Sequence, residues 1–195
     1  MKQEERRKKT IQLLLDSTKV LIETKGCHSI TMNDIMKQSK LSKGAIFHYV
    51  NSKDEIFAWV LQEQLDQTNE KFFNEVNHGE KTFEGPLDKI LQSLSSHENQ
   101  TVTNRVLLYL LGRENEPSVA KVLEQYYEQV FHYTKQWIAS GQKHGVIKNF
   151  TNASRVAELL ILLTFGYRVR QSIPIENSSF TLDELRSFMS DLLKA

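Results

Sequence analysis

The 195-residue chain has a single cysteine, only three prolines and only eight glycines, and each scarcity excludes something. One cysteine, Cys27, cannot close an intramolecular disulfide and leaves no cysteine-rich metal site. Few prolines and glycines, most at plausible helix edges, leave little to break helices. No alternating run of β-branched residues bounded by turns is present, so strands are not expected. No apolar run, Leu159 to Leu163 included, comes near the ~18 residues that a membrane helix needs. The charged start, Met1 to Thr10, lacks the apolar core of a signal peptide. The expected setting is therefore cytoplasmic, reduced and away from any membrane. Catalytic signatures are missing as well: there is no glycine-rich phosphate loop and no nucleophile elbow. The six histidines are scattered without metal-ligand spacing. Neither an enzyme, a metal nor a cofactor is expected.

What is present is an uneven charge. The net charge of +1 divides into about +6 over residues 1 to 53 and about −5 over the remainder. A basic end on an acidic protein suits a polyanion partner. On charge alone, a solvated basic arm built on Arg6, Arg7, Lys8 and Lys9 is as good a reading.

The periodicity is helical throughout, giving an all-α fold of about nine helices. Ile11, Leu14, Leu15, Thr18, Leu21 and Ile22 form one face of a first helix, from about Glu4 to Thr24, that stops at Gly26. Further helices start after Thr31, Ser42 and Ser52, each with a capping hydroxyl; Ser52 and Glu55 have capping-box spacing. The helix from about 52 to 76 is expected to link two domains, and Asn77 to Gly85 is a polar connection. Later helices are expected from Gly85-Pro86 to Ser95, Thr101 to Leu111, Pro117 to Ser140, Asn152 to Ile173 and Thr181 to Leu193.

The informative stretch is Ser29 to Phe57, SITMNDIMKQSKLSKGAIFHYVNSKDEIF. It holds two short helices split by the turn Ser39-Lys40-Leu41. Ile35, Leu41, Ile46 and Val50 are spaced to close a small core, which turns the start of the second helix outward as a recognition helix requires. With Ser42 to Val50, then Ser52, Lys53 and Ile56, the sequence resembles the TetR family of transcriptional repressors over about its first third. The resemblance implies a three-helix DNA-binding domain at 1–53 and a helical effector-binding and dimerisation domain at 54–195. It implies that Lys43 and Gly44 meet base edges, where a lysine donates to guanine and a glycine lets the backbone come close. It implies phosphate contacts for Thr31, Ser42, Ala45, Phe47, Tyr49 and Lys53, with His48 able to reach a phosphate or a base. Three residues depart from the family's usual ones: Phe47 for tyrosine, Met36 for alanine and Lys40 for glycine. A lysine forced to positive φ costs on the order of 1 kcal/mol.

The other two-thirds carries no family motif. Val119, Val122, Tyr126, Val130, Tyr133 and Trp137 make a stripe on the long helix, widened by Tyr127, Phe131 and Ile138. Such surfaces are most often plain core; as a pocket for a small apolar effector, their polar and aromatic contacts would be Arg105, Tyr109, Tyr126, His132 and Trp137. The last two helices carry more apolar side chains than one domain can bury. A two-fold homodimer is therefore expected through Leu159, Leu163, Leu185, Phe188 and Leu192. The resulting expectation is a ligand-responsive repressor on a palindromic duplex operator. The competing one is a helical carrier or protein-interaction module without DNA binding. An exposed glycine beside a lysine at a helix start favours the first.

Overall fold

Leu14, Leu15, Thr18, Leu21 and Ile22, spaced by three and four, are the buried residues that turn α1 (Lys2–Lys25) towards its neighbours. The computed structural model describes residues 2–95, 97–149, 152–174 and 180–195, without the side chains of 2 and 97–101. α1 ends where Gly26 takes φ 73°, a conformation that costs glycine little. A 3-10 turn, Cys27–Ser29, follows, and then α2 (Met32–Ser39) and α3 (Lys43–Phe47). Thr31 starts α2 with a full capping box: its hydroxyl accepts from the Asp34 amide at 3.2 Å, and Asp34 accepts from the Thr31 amide at 2.9 Å. Ser42 starts α3 by accepting from the Ala45 amide at 3.2 Å.

α4 (Lys53–His78) begins differently from the capping box that Ser52 and Glu55 suggest. The Ser52 hydroxyl accepts from the Glu55 amide at 3.3 Å. The Glu55 carboxylate, however, takes the amide of Asn51 at 2.9 Å. One orphan amide is still satisfied in each direction, a residue earlier than expected.

The remaining helices are α5 (Glu84–Ser95), α6 (His97–Leu111), α7 (Pro117–Lys143), α8 (Ala153–Gln171) and α9 (Leu182–Leu193). α6 starts four residues before the expected Thr101, within a polar stretch whose periodicity is weak. Asn152 caps α8, and Thr181 with Glu184 forms the expected capping box of α9. The fold is all-α: among the described residues the one extended pairing is an isolated bridge between Ile147 and Lys194. None of the described helices is long and apolar enough to cross a membrane.

Two compact units emerge. The first is Met1–Glu63 with Thr101–Tyr126, the second Gln64–Gln100 with Tyr127–Ala195. By compactness, α6 and the start of α7 thus go with the N-terminal helices. In the first unit Arg105 of α6 donates to the carbonyls of Ile22 and Glu23 at 3.1 Å each, at the end of α1 where the Ile22 carbonyl also accepts from the Gly26 amide at 3.0 Å. In the second unit Leu87, Leu91, Leu94, Ile138, Leu160, Leu185 and Met189 form the centre of the core. Its last residues are tied back by Lys148, whose amide donates to Leu193 at 3.0 Å, and by Ala195, whose amide donates to Val146 at 3.2 Å.

Candidate functional site

The short helix α3 is held from behind. Ile46 is fully buried and Val50 nearly so, as is Ile35 on α2, while Ser42, Lys43, Gly44, Phe47 and His48 face outward. Ala45 and Tyr49 are half-buried. A side chain added at Gly44 would meet nothing within 4 Å, and its φ is ordinary. The fold itself therefore does not need glycine there. Lys43 arches back so that its ammonium stands 5.7 Å from the ring centre of Phe47, and the rings of His48 and Tyr49 meet edge-on at 4.9 Å. Phe47 is 40% exposed, so it is not a core aromatic. An apolar ring held in water beside a cation suits a surface that is covered on binding.

Two ties fix the orientation of α2 and α3. Lys25 at the end of α1 donates to Asp34 in the first turn of α2 at 2.6 Å. That bond, with those from Thr31, holds the Asp34 carboxyl well below the usual carboxylate range. At the other crossing, Lys40 takes φ 56°, ψ 22°, so the left-handed turn that glycine usually makes is made here by a lysine.

Thr31 is exposed at the start of α2. Lys53 is placed differently from a free phosphate ligand. Its ammonium donates to the carbonyls of Ile30 at 2.8 Å and Cys27 at 3.2 Å, and lies 5.2 Å from the ring centre of Tyr109. Two of its three protons are thus committed to the turn before α2.

Charge alone did not single out particular residues of α1 as part of a site. Arg6, Arg7 and Thr10 line one depression together with His48, Tyr49 and Trp59. The basic first turns of α1 thus stand beside the end of α3, and the cluster Arg6 to Lys9 was the signal for it.

The expected pocket residues do not converge. An apolar cavity of about 70 Å³ lies in the second unit among α4, α5, α7, α8 and α9, and Trp137 lines it. Arg105 and Tyr109 belong to the first unit. Arg105 is engaged with the end of α1, and the Tyr109 hydroxyl accepts from Arg113, with burial pushing its pKa up to about 12. Tyr126 is buried and also lies in the first unit; His132 is exposed and does not line the cavity. The lining residues that went unnamed, such as Phe72, Leu87, Leu160 and Met189, look in sequence like any other core positions. No group of three histidine, cysteine, aspartate or glutamate side chains among the described residues is arranged to hold a metal.

The five residues expected at a dimer interface separate into two groups. Leu185 is buried in its own unit's core, and Leu163 and Leu192 pack partly against that core. Leu159 and Phe188 are 38% and 46% exposed. The exposed face of α8 continues through Leu162, at 69%, to Val169. Gly166 lies on that face with open space where a side chain would be.

Residues 14–60 match the model of the family of bacterial regulatory proteins, tetR family. Over 157 residues the chain is 22% identical to the HTH-type transcriptional regulator UidR of Escherichia coli strain K12, covering 78% of this chain and 76% of that one. Among solved structures it is similar to a TetR transcription regulator from Haloarcula marismortui, with TM-score 0.69, 20% identity, and 96% of this chain and 100% of that chain covered. It is also similar to Salmonella enterica GusR, with TM-score 0.62, 20% identity, and 95% and 96% covered.

Proposed function

This chain belongs to the TetR family and is a DNA-binding transcriptional regulator, and we propose that it is a repressor released from its operator by a small apolar effector. In this reading residues 1–53 read DNA in the cytoplasm, residues 54–195 bind the effector and form the homodimer, and the operator is palindromic. The single observation that supports it most is the outward edge of α3. Lys43 and Gly44 stand exposed on a helix whose opposite side is anchored by Ile46, and Gly44 leaves room that the fold itself does not use. A backbone in that position can approach a major groove closely enough for Lys43 to reach base edges. Thr31, Ser42, Ala45, Phe47, His48 and Tyr49 surround that edge and would position it on the phosphates. Arg6 and Arg7 extend the basic surface past His48 and Tyr49.

The effector reading draws its support from the apolar cavity in the second unit. Both α4 and α7 contribute residues to each unit. An effector that favours the non-binding conformation tenfold shifts the DNA equilibrium by about 1.4 kcal/mol. The experiment that tests the function is to sequence the fragments of its own genome that the protein retains. A shared near-palindromic site is expected, protected from nuclease by the native chain and not by Lys43→Ala. Retention without any common sequence would contradict a specific regulator.

A further inference from the structure

We infer that the cavity of the second unit takes an uncharged, slender apolar group, a short alkyl chain or one small ring, whose polar end stays at the mouth. This rests on the reading that the second unit binds an effector, and it names the class of molecule that fits. One wall is aromatic: Phe72 of α4 and Trp137 of α7 stack with centres 5.3 Å apart and planes 29° from parallel. Leu87, Leu160 and Met189, all buried, complete the interior.

The two buried polar side chains of the lining, Thr134 and Trp137, are already engaged. Trp137 donates its indole N–H to Asn69 at 2.8 Å, and the Thr134 hydroxyl donates to the Val130 carbonyl at 2.8 Å. The ionisable lining residues, Glu80, Lys81 and His144, are all exposed and so stand at the edge. A charge carried into the interior would leave water without meeting a partner, which apolar surroundings penalise heavily. An aliphatic or aromatic end meets only matching surface. Size narrows the class further. The volume of about 70 Å³ is roughly half of the ~150 Å³ apolar cavity known to stay dry and accept benzene. A chain a few carbons long fits as the cavity stands, whereas a ring fits only if the walls give slightly.

The full-length protein carrying Trp59→Phe, which leaves Trp137 as the only indole, is titrated with n-butanol, n-hexanol and n-octanol while Trp137 emission is read. Saturable changes are expected, with affinity rising about fourfold per methylene, equivalent to ~0.8 kcal/mol each, until the cavity is full and then levelling off. Hexane-1,6-diammonium, the same chain charged at both ends, is expected to give no saturable change. The doubly filled variant Leu87→Phe, Leu160→Phe should bind hexanol at least tenfold more weakly at unchanged helical circular dichroism. Val76→Phe, at a half-buried lining position, gives the same reading if the double variant does not fold. No saturable alcohol binding, equal binding of the diammonium, or unchanged affinity in the filled variants overturns the proposal. Binding that follows the expected ladder yet leaves retention of genomic DNA unaltered supports the cavity assignment and overturns the effector role instead.

Discussion

Arg113, in the turn after α6, donates from its guanidinium to Asp54 in the first turn of α4 at 2.7 Å. The same guanidinium forks onto Glu116, at 2.7 and 2.6 Å, and also meets the Tyr109 hydroxyl. Asp54 is almost buried, so its carboxylate depends on this one cation more than a surface pair would. Arg113→Ala should therefore cost about 1–3 kcal/mol, because it leaves a part-buried carboxylate without its charged donor. Pairing it with Asp54→Asn in a double-mutant cycle of urea midpoints should return a coupling of at least ~0.5 kcal/mol. Additive losses would show that the two residues act independently.

Lys40 offers a gain instead of a loss. Its φ of 56° is the only positive value found at a non-glycine among the described residues. Lys40→Gly relieves that strain, offset in part by the greater freedom glycine gives the unfolded chain. The net expectation is a stabilisation of up to about 1 kcal/mol, read as a higher thermal midpoint. Lys40→Ala, which keeps the strained side-chain carbon, should show no such gain.

The strained turn was legible in the sequence because a family expectation met a residue that did not suit it. Helix starts were legible for a similar reason. A hydroxyl followed three residues later by an acid is a local pattern with a local cause, and Thr181 with Glu184 folds as that pattern says. The cavity residues were not legible. Tyr126 and Trp137 lie eleven positions apart on the same apolar stripe, yet only Trp137 lines the cavity. Whether an apolar residue faces a void or a neighbour depends on how five helices meet, which no single periodicity carries. Lys53 shows the same limit at the DNA end. A lysine at a helix start suits a phosphate, but the carbonyls of Cys27 and Ile30, 26 and 23 residues away, claim its protons.

Lys43 and Lys53 should therefore differ in two readouts. Lys43→Ala should relax sequence preference on duplex DNA and leave thermal stability unchanged within ~0.5 kcal/mol. Lys53→Ala should weaken all sequences alike but lower the salt slope by less than the roughly one unit that a full phosphate contact supplies, because its ammonium is engaged by the carbonyls of Ile30 and Cys27. It should also lower the thermal midpoint, because it empties two carbonyls of their donor. A Lys53→Ala protein with the native midpoint would contradict the inward-turned ammonium.

Cys27 supplies a pH dependence. Burial pushes its thiol from 9.0 up to about 11, against the pull of Lys53 and Arg105. The folded value is the higher one, so the contribution to stability is intact below about pH 9 and is lost as pH rises towards the folded value. Tyr109, also raised by burial, to about 12, adds its own loss only above its ordinary value near pH 10. The urea midpoint should therefore begin to fall between about pH 9 and pH 10, and Cys27→Ala should flatten that interval. Parallel pH curves for the two proteins would remove Cys27 as the cause.

A second copy of the chain can cover the apolar side chains that α8 and α9 leave exposed. Leu159, Leu162, Gly166 and Val169 recur at spacings of three and four along α8, and the three larger ones lie between 38% and 69% exposed. Phe188 on α9 is 46% exposed. Full burial of one such side chain is worth about 1.5–3 kcal/mol, so an uncovered row of them is a strong reason to associate. Gly166, with open space where a side chain would stand, lets a facing backbone come close. In a two-fold arrangement each substitution occurs twice across the same patch. Leu162→Glu with Phe188→Glu should therefore cost several kcal/mol of association. The variant should sediment as a monomer, keep its helical circular dichroism, and lose tight operator binding, because one short recognition helix reads too few base pairs alone. Leu185→Asp should behave differently. Leu185 is 1% exposed within its own core, so a carboxylate there should unfold the second unit and not merely part the subunits. A native protein that sediments as a monomer at micromolar concentration while binding its operator tightly would sink the dimer, and with it the palindrome.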